Sequence, residues 1–259
     1  MSELGLAALV AGVLMAGCWL VSLPKRDVSI VDPLWPMVFV AVAWSLWLWD
    51  DGTGSGRAWL MLVMVSAWGL RLSAHLTARK WGAPEDFRYQ ALRRRLQPFW
   101  LWSLLVVFGL QAVLAVVVSL PVQAVLGDPD PSPLRWLDWV GAAIWTVGLV
   151  FESVGDEQLR RFKADDANRG KVMDRGLWRY SRHPNYFGDS MVWWGIWVVA
   201  VSAGAWWTVA GPLLMTILLL RVSGVTVLER SMGKRRPGYA EYAARTSPFI
   251  PMPPRRTGR

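Results

Sequence analysis

The chain has 259 residues, 54% of them hydrophobic and only 18% charged, with 19 Trp, 10 Met and a single Cys. Soluble domains carry about 25% charged residues, so this composition excludes a disordered chain, a disulfide-framed secreted domain and a cysteine-rich metal module. A net charge of +9 would suggest nucleic acid in a soluble protein, but with a mean hydropathy of +0.29 it has to be read by position along the chain.

Seven apolar runs follow one another, at residues 4–23, 33–49, 58–76, 99–120, 136–154, 186–203 and 206–222. Crossing about 30 Å of hydrocarbon takes roughly 20 such residues. The runs are too long for barrel strands, and backbone groups cannot stay unpaired in lipid. The sequence therefore predicts an all-α, multi-pass bundle of about seven transmembrane helices in one domain, residues 1–259. In the first run, Leu14-Met15-Ala16-Gly17-Cys18 has the form of a lipoprotein cleavage box. No basic residue precedes it and the chain stays apolar beyond it, so it reads as an uncleaved helix. The second and sixth runs are short. The loops Asp50-Asp51-Gly52 and Gly127-Asp128-Pro129-Asp130-Pro131 read as plain connections, whereas those after the third and fifth runs are long and basic.

Of the 28 Lys and Arg, 24 fall on one side of such a bundle, two (Arg57 and Arg135) on the other, and Arg71 and Arg221 inside helices. The positive-inside rule then puts the N-terminus outside and the C-terminus in the cytoplasm, and seven helices satisfy that parity. A basic inner face suits anionic membrane lipids. It suits equally a phosphate-rich cofactor arriving from the cytosol, and nucleic acid is not needed to explain it.

Polar residues at a membrane boundary are costly and hence informative. Glu152, Asp156 and Arg160 recur every four residues, and so do Asn185 and Asp189, which places each set on one helix face. Between them runs a basic, aromatic stretch from Lys171 through Arg179 and Arg182 to Pro184, and Pro184 suits the first turn of a helix. A helix N-terminus preceded by arginines is a sound phosphate site. The plainer alternative is a solvated basic loop with Asn185 and Asp189 as caps. Against it, an isolated carboxylate such as Asp189 within an apolar helix costs roughly 2.5–3.5 kcal/mol and needs a partner.

The stretch Arg179-Tyr180-Ser181-Arg182-His183-Pro184-Asn185-Tyr186-Phe187-Gly188-Asp189 resembles the signature of membrane steroid 5-alpha-reductases and sterol C=C reductases. The best match is to their bacterial DUF1295 branch. The resemblance extends to Arg26-Asp27-Val28-Ser29-Ile30-Val31-Asp32, Glu85-Asp86-Phe87-Arg88-Tyr89, Arg236-Pro237-Gly238-Tyr239-Ala240-Glu241-Tyr242 and Pro248-Phe249-Ile250-Pro251. It implies a bacterial inner-membrane bundle that binds NADPH on its cytosolic side and takes a lipophilic substrate from the bilayer. The positions implied to contact the cofactor are Asp156, Arg160, Lys163, Lys171, Arg179, Arg182, Asn185 and Asp189, with Tyr242 and Arg245 in the tail. No Gly-x-Gly-x-x-Gly follows a strand, so a Rossmann fold is excluded.

Reducing a C=C conjugated to a carbonyl builds negative charge on the carbonyl oxygen, which a nearby acid stabilises. The related reductases use a glutamate on helix two and a tyrosine on helix three. Asp32 falls at the place of the glutamate, with a helix N-cap ahead of Pro33 as its competing role. The third run has no Tyr, which leaves His75, four residues from Arg71, or Tyr89 in the loop beyond as the second donor. The Arg-His-Pro core also resembles isoprenylcysteine-type methyltransferases that use S-adenosylmethionine. Asn185 and the Gly188-Asp189 pair tilt the match to the reductases. A transporter would show paired halves and interrupted helices. His75 and His183 are the only histidines and lack metal-ligand spacing, so no metal site is expected.

Overall fold

A computed structural model describes residues 1–49, 55–128, 133–222 and 238–255. The connections expected at Asp50-Asp51-Gly52 and Pro129-Asp130-Pro131 lie outside these residues, as do Arg236-Pro237 of the tail motif.

Helix α1 (Glu3–Lys25) starts where the Ser2 side chain accepts from Gly5 N and ends at Arg26 in the left-handed conformation. A 3-10 turn at Val28–Ile30 leads directly into α2 (Val31–Trp49), and it is Asp27 whose side chain caps that turn, accepting from Ser29 N. Ser55 caps α3 (Gly56–Lys80) and Asp86 caps the short α4 (Phe87–Arg95). Helix α5 (Phe99–Val118) carries a π-helical segment at Leu104–Gly109. It is followed by the short α6 (Leu120–Leu126), opened by Pro121 and not separately expected from sequence. Then come α7 (Trp136–Ala164) and α8 (Pro184–Ser202). The last apolar run is divided into a 3-10 turn at Trp206–Val209, α9 (Ala210–Ile217) and a π-helical end at Leu218–Val222. Helix α10 (Tyr239–Arg245) precedes the tail.

Among the described residues, the spans Glu3–Lys25, Val28–Trp49, Gly56–Lys80, Phe99–Val118 and Trp136–Ala164 are long and apolar enough to cross a membrane. That gives five of the seven expected spans. The sixth expected run is the 19-residue α8, whose Asn185, Asp189 and three Trp lower its hydropathy. The seventh is the shorter apolar helix Trp206–Arg221. Helix α7 outlasts its apolar run by three turns, and its extension carries Glu157 bonded to Arg160 and Arg161 at 2.6 Å each. No strand occurs among the described residues; Ser181 and Ser247 form an isolated parallel bridge.

The chain divides into two compact units. The first is Met1–Asp138 with Val199–Gly211. In its core Phe39 meets Trp35 and Trp68 edge-on, with ring centres 4.8 and 5.7 Å apart. Gly69 lets α3 close onto α2: a methyl group there would lie 3.0 Å from the Pro36 carbonyl oxygen. Arg57 pairs with Asp138 through two bonds of 3.0 and 3.3 Å, and both side chains are buried. Asp138 also accepts from Arg135 N at 2.7 Å, while the Arg135 guanidinium bonds the Ser202 carbonyl. The Asp138 carboxylate thus holds the Arg57 side chain and the Arg135 backbone together.

The second unit is Trp139–Val198 with Pro212–Arg259. Gly141, Gly148 and Gly155 recur every seven residues along α7, where Gly141 faces Gly195, Gly148 faces Gly188 and Gly155 meets Pro184 and Asn185 of α8. A methyl group on Gly148 would lie 2.7 Å from the Gly188 carbonyl oxygen, and one on Gly195 would lie 2.7 Å from that of Gly141. Backbone-to-backbone packing through small residues is the kind that pairs helices where lipid offers no hydrophobic drive.

Candidate functional site

The glycine seam sets the geometry of the second unit's polar cluster. At its end, Gly155 packs on the Asn185 backbone. One residue further along α7, Asp156 accepts from Asn185 Nδ2 at 2.9 Å. Asn185 Oδ1 is enclosed and has no hydrogen-bond partner. Glu152, Asp156 and Asp189 are all buried, and Gly188 lies against the Glu152 backbone. The period-four spacings on α7 and α8 therefore do bring Asp156 and Asn185 together. Arg160, at the next step along α7, instead projects outward to Glu157, with its side chain 59% exposed. Lys163, Lys171 and Arg179 are exposed and Arg182 is half-buried.

The segment leading into α8 is pinned from two sides. From α7, Gln158 Oε1 accepts from Leu177 N at 3.0 Å and the Gly155 carbonyl accepts from Trp178 Nε1 at 3.0 Å. Gly176 is required here, because it has φ +57° and the Gln158 amide lies where a side chain would start. From the tail, Tyr242 Oη donates to the Trp178 carbonyl at 2.6 Å and Arg245 pairs with Asp174 at 2.6 Å. Ser181 Oγ donates to the Phe249 carbonyl at 2.7 Å, and Arg182 N donates to the Ser247 carbonyl at 2.8 Å. The burial of Tyr242 holds its phenol well above the ordinary tyrosine range, so it serves as a clasp on the loop.

In the first unit, Tyr89 Oη donates to Asp32 Oδ1 at 2.6 Å and Arg88 Nη2 donates to Asp32 Oδ2 at 3.0 Å. Asp32 sits in the first turn of α2, but the capping role belongs to Asp27. Burial, and then the Asp32 carboxylate beside it, hold the Tyr89 phenol well above its usual range, so the group stays a hydrogen-bond donor. Arg88 is steered by Asp86, which accepts from its Nε at 2.9 Å. Burial pushes Asp86 up, but its bonds to Arg88 outweigh this and leave it below the usual carboxylate range. The segment bearing Tyr89 is tied to the start of α2: Glu85 accepts from Val28 N at 3.0 Å and from Arg93 at 2.7 Å, and Asp86 N donates to Ser29 Oγ at 3.2 Å. His75 stands half-buried on α3.

Sequence reasoning passed over Gln158, the tail clasp and the glycine seam. The seam alone carried a readable signal, its seven-residue glycine spacing.

Residues 18–246 match the model of a family described as a protein of unknown function, DUF1295. An uncharacterized protein of Schizosaccharomyces pombe (strain 972 / ATCC 24843) is 28% identical over 204 residues, which are 68% of this chain and 58% of that protein. The chain thus spans less than two thirds of the length of that curated relative. No solved structure matches.

Proposed function

The chain belongs to the DUF1295 family, and from that premise we propose that it is a membrane-embedded, NADPH-dependent reductase of a C=C conjugated to a carbonyl in a steroid-like or other lipid substrate. The observation that carries this reading is Asn185: Asp156 fixes its amide, and Oδ1 is left enclosed without a partner. Leaving a buried acceptor unpaired costs about 1–3 kcal/mol, a cost that makes sense where a ligand supplies the donor. The carboxamide of a nicotinamide ring has such a donor. Asp156, Asn185 and Asp189 would hold that end of NADPH, and Arg160, Lys163, Lys171, Arg179 and Arg182 would meet its phosphates. Tyr242 and Arg245 act through the loop they clasp. When bound, the cofactor supplies a hydride.

Tyr89 and Asp32 support a reduction over a methyl transfer, since a methyl transfer needs no proton for its substrate. Arg88 pairs with the Asp32 carboxylate, so the proton to be given is the phenol's. In this reading the chain crosses the membrane seven times, with the N-terminus outside and the nucleotide site facing the cytosol. What supports that orientation is the distribution of the 28 Lys and Arg, 24 of which fall on the side read as cytosolic. The test is parallel titration of the purified protein with NADPH and with S-adenosylmethionine. Saturable binding of NADPH is expected; binding of the sulfonium donor alone overturns the reading.

A further inference from the structure

Gln111 has no part in the reading so far. It lies within the span Phe99–Val118, half-buried, in a place where a primary amide is expensive to keep. Three features fix where it stands. The π-helical segment Leu104–Gly109 ends just before it, and one extra residue in a helix turns everything after it by about 100°. Its backbone carbonyl accepts from Trp35 Nε1 at 3.3 Å, which ties this turn of α5 to α2. Its side-chain Nε2 faces Tyr89 Oη at 3.5 Å.

That last distance is at the outer limit of a hydrogen bond, so the bond to Tyr89 uses little of the amide's donor capacity. Two donors 3.5 Å apart can both stand about 2.8 Å from a single oxygen placed beside them. Such an oxygen would draw the Tyr89 proton away from Asp32. The Asp32 carboxylate would keep the Arg88 guanidinium on its other oxygen, so no lone charge would be left behind.

We infer that Gln111 and Tyr89 together form the seat of the substrate's carbonyl oxygen, with Gln111 as a second donor to it. The inference rests on the reductase reading and deepens it by naming the donors that would meet the oxygen of the conjugated carbonyl, that of a 2-enone or an enoate ester. Bound NADPH would supply a hydride to the β-carbon, and the alkene π pair would then shift to join the α-carbon to the carbonyl carbon. The carbonyl π pair moves onto oxygen, giving an enolate. Gln111 Nε2 stabilises that oxygen without giving up a proton. Tyr89 transfers its proton to the oxygen, the enol reverts to the saturated ketone, and one proton from water restores the phenol. The sum is enone, NADPH and one proton going to saturated ketone and NADP⁺.

The experiment uses the full-length protein in detergent, NADPH, and 3-nonen-2-one as the probe enone. If the wild type binds NADPH but reduces no enone, the carbonyl seat is overturned; if it does not bind NADPH, the reductase reading itself falls. With an active wild type, Gln111→Met should lower kcat about 100-fold, the usual loss of one oxyanion donor. NADPH affinity and the thermal midpoint should stay at wild-type values. The deficit should shrink about tenfold on a matched nitroalkene, whose nitro oxygens already carry the developing charge and rely less on donors. Should Gln111→Met fail to fold, Gln111→Asn, which withdraws the amide by one carbon, carries the same expectation. Wild-type kcat in the folded variant, or an equal loss on both probes, overturns the proposal.

Discussion

Tyr89 donates its phenolic proton to Asp32 at 2.6 Å, joining the short α4 to the first turn of α2 across 57 positions of sequence. Two segments that the linear order keeps well apart thus share one carboxylate, and Arg88, next to Tyr89, keeps its second oxygen occupied.

Removing the phenol should remove the proton. Tyr89→Phe is expected to lower kcat by about 10²–10⁴-fold, the range of general acid catalysis, with NADPH affinity unchanged. Asp32→Asn keeps an acceptor for the phenol and should cost less. Steady-state kinetics with an enone probe, beside an NADPH titration, checks both.

The direction in which the two clasped phenols are shifted gives a test that needs no substrate. Tyr89 and Tyr242 both lie above the ordinary tyrosine range, chiefly through burial. A raised folded-state value means their contribution to stability is complete below the unfolded value of about 10 and fades only as pH climbs through the folded one. Tyr89→Phe and Tyr242→Phe should therefore leave the tyrosinate absorbance at about pH 11 as it is in the wild type. A drop in that signal would show the phenol ionising with the exposed ones.

The seam between α7 and α8 has no spare room. Gly148→Leu should destabilise the protein by about 1–3 kcal/mol through overpacking, read as a lower thermal midpoint in detergent, and should weaken NADPH binding by separating Asp156 from Asn185. Gly12→Leu is the control, since nothing lies within 4 Å of a methyl group at that site.

Arg57 and Asp138 form a buried pair, so breaking it from one side strands a charge. Arg57→Met alone should cost about 3–5 kcal/mol, whereas Arg57→Met with Asp138→Leu should recover much of that. Thermal unfolding of the two variants decides it. By contrast, the exposed pair of Arg160 with Glu157 should contribute less than about 1 kcal/mol.

Long apolar runs made the helices legible, because length and hydrophobicity leave few other structures in lipid. What the runs hid was irregularity inside them: the π-helical segment of α5 and the broken last run depend on packing that periodicity does not record. In the candidate site, spacing singled out Asp156 and Asn185 because each recurs with a polar neighbour on one face of its own helix, α7 or α8. It placed Arg160 on the same face as Asp156, where the nearer partner Glu157 turned the long side chain outward. The pairing of Tyr89 with Asp32 is a long-range contact between the short α4 and the start of α2, which no local pattern encodes. For the same reason Tyr242 read as a ligand contact, although its hydroxyl is spent on the Trp178 carbonyl.

The most direct measurement is an NADPH titration of the detergent-purified wild type, Asn185→Ala and Asp156→Ala, with thermal unfolding recorded for each. Saturable binding by the wild type, with affinity reduced at least about tenfold in both folded variants, a loss of about 1.4 kcal/mol, is the predicted result. Undiminished affinity in both variants, or a wild type that takes up S-adenosylmethionine and leaves NADPH in solution, would contradict the account.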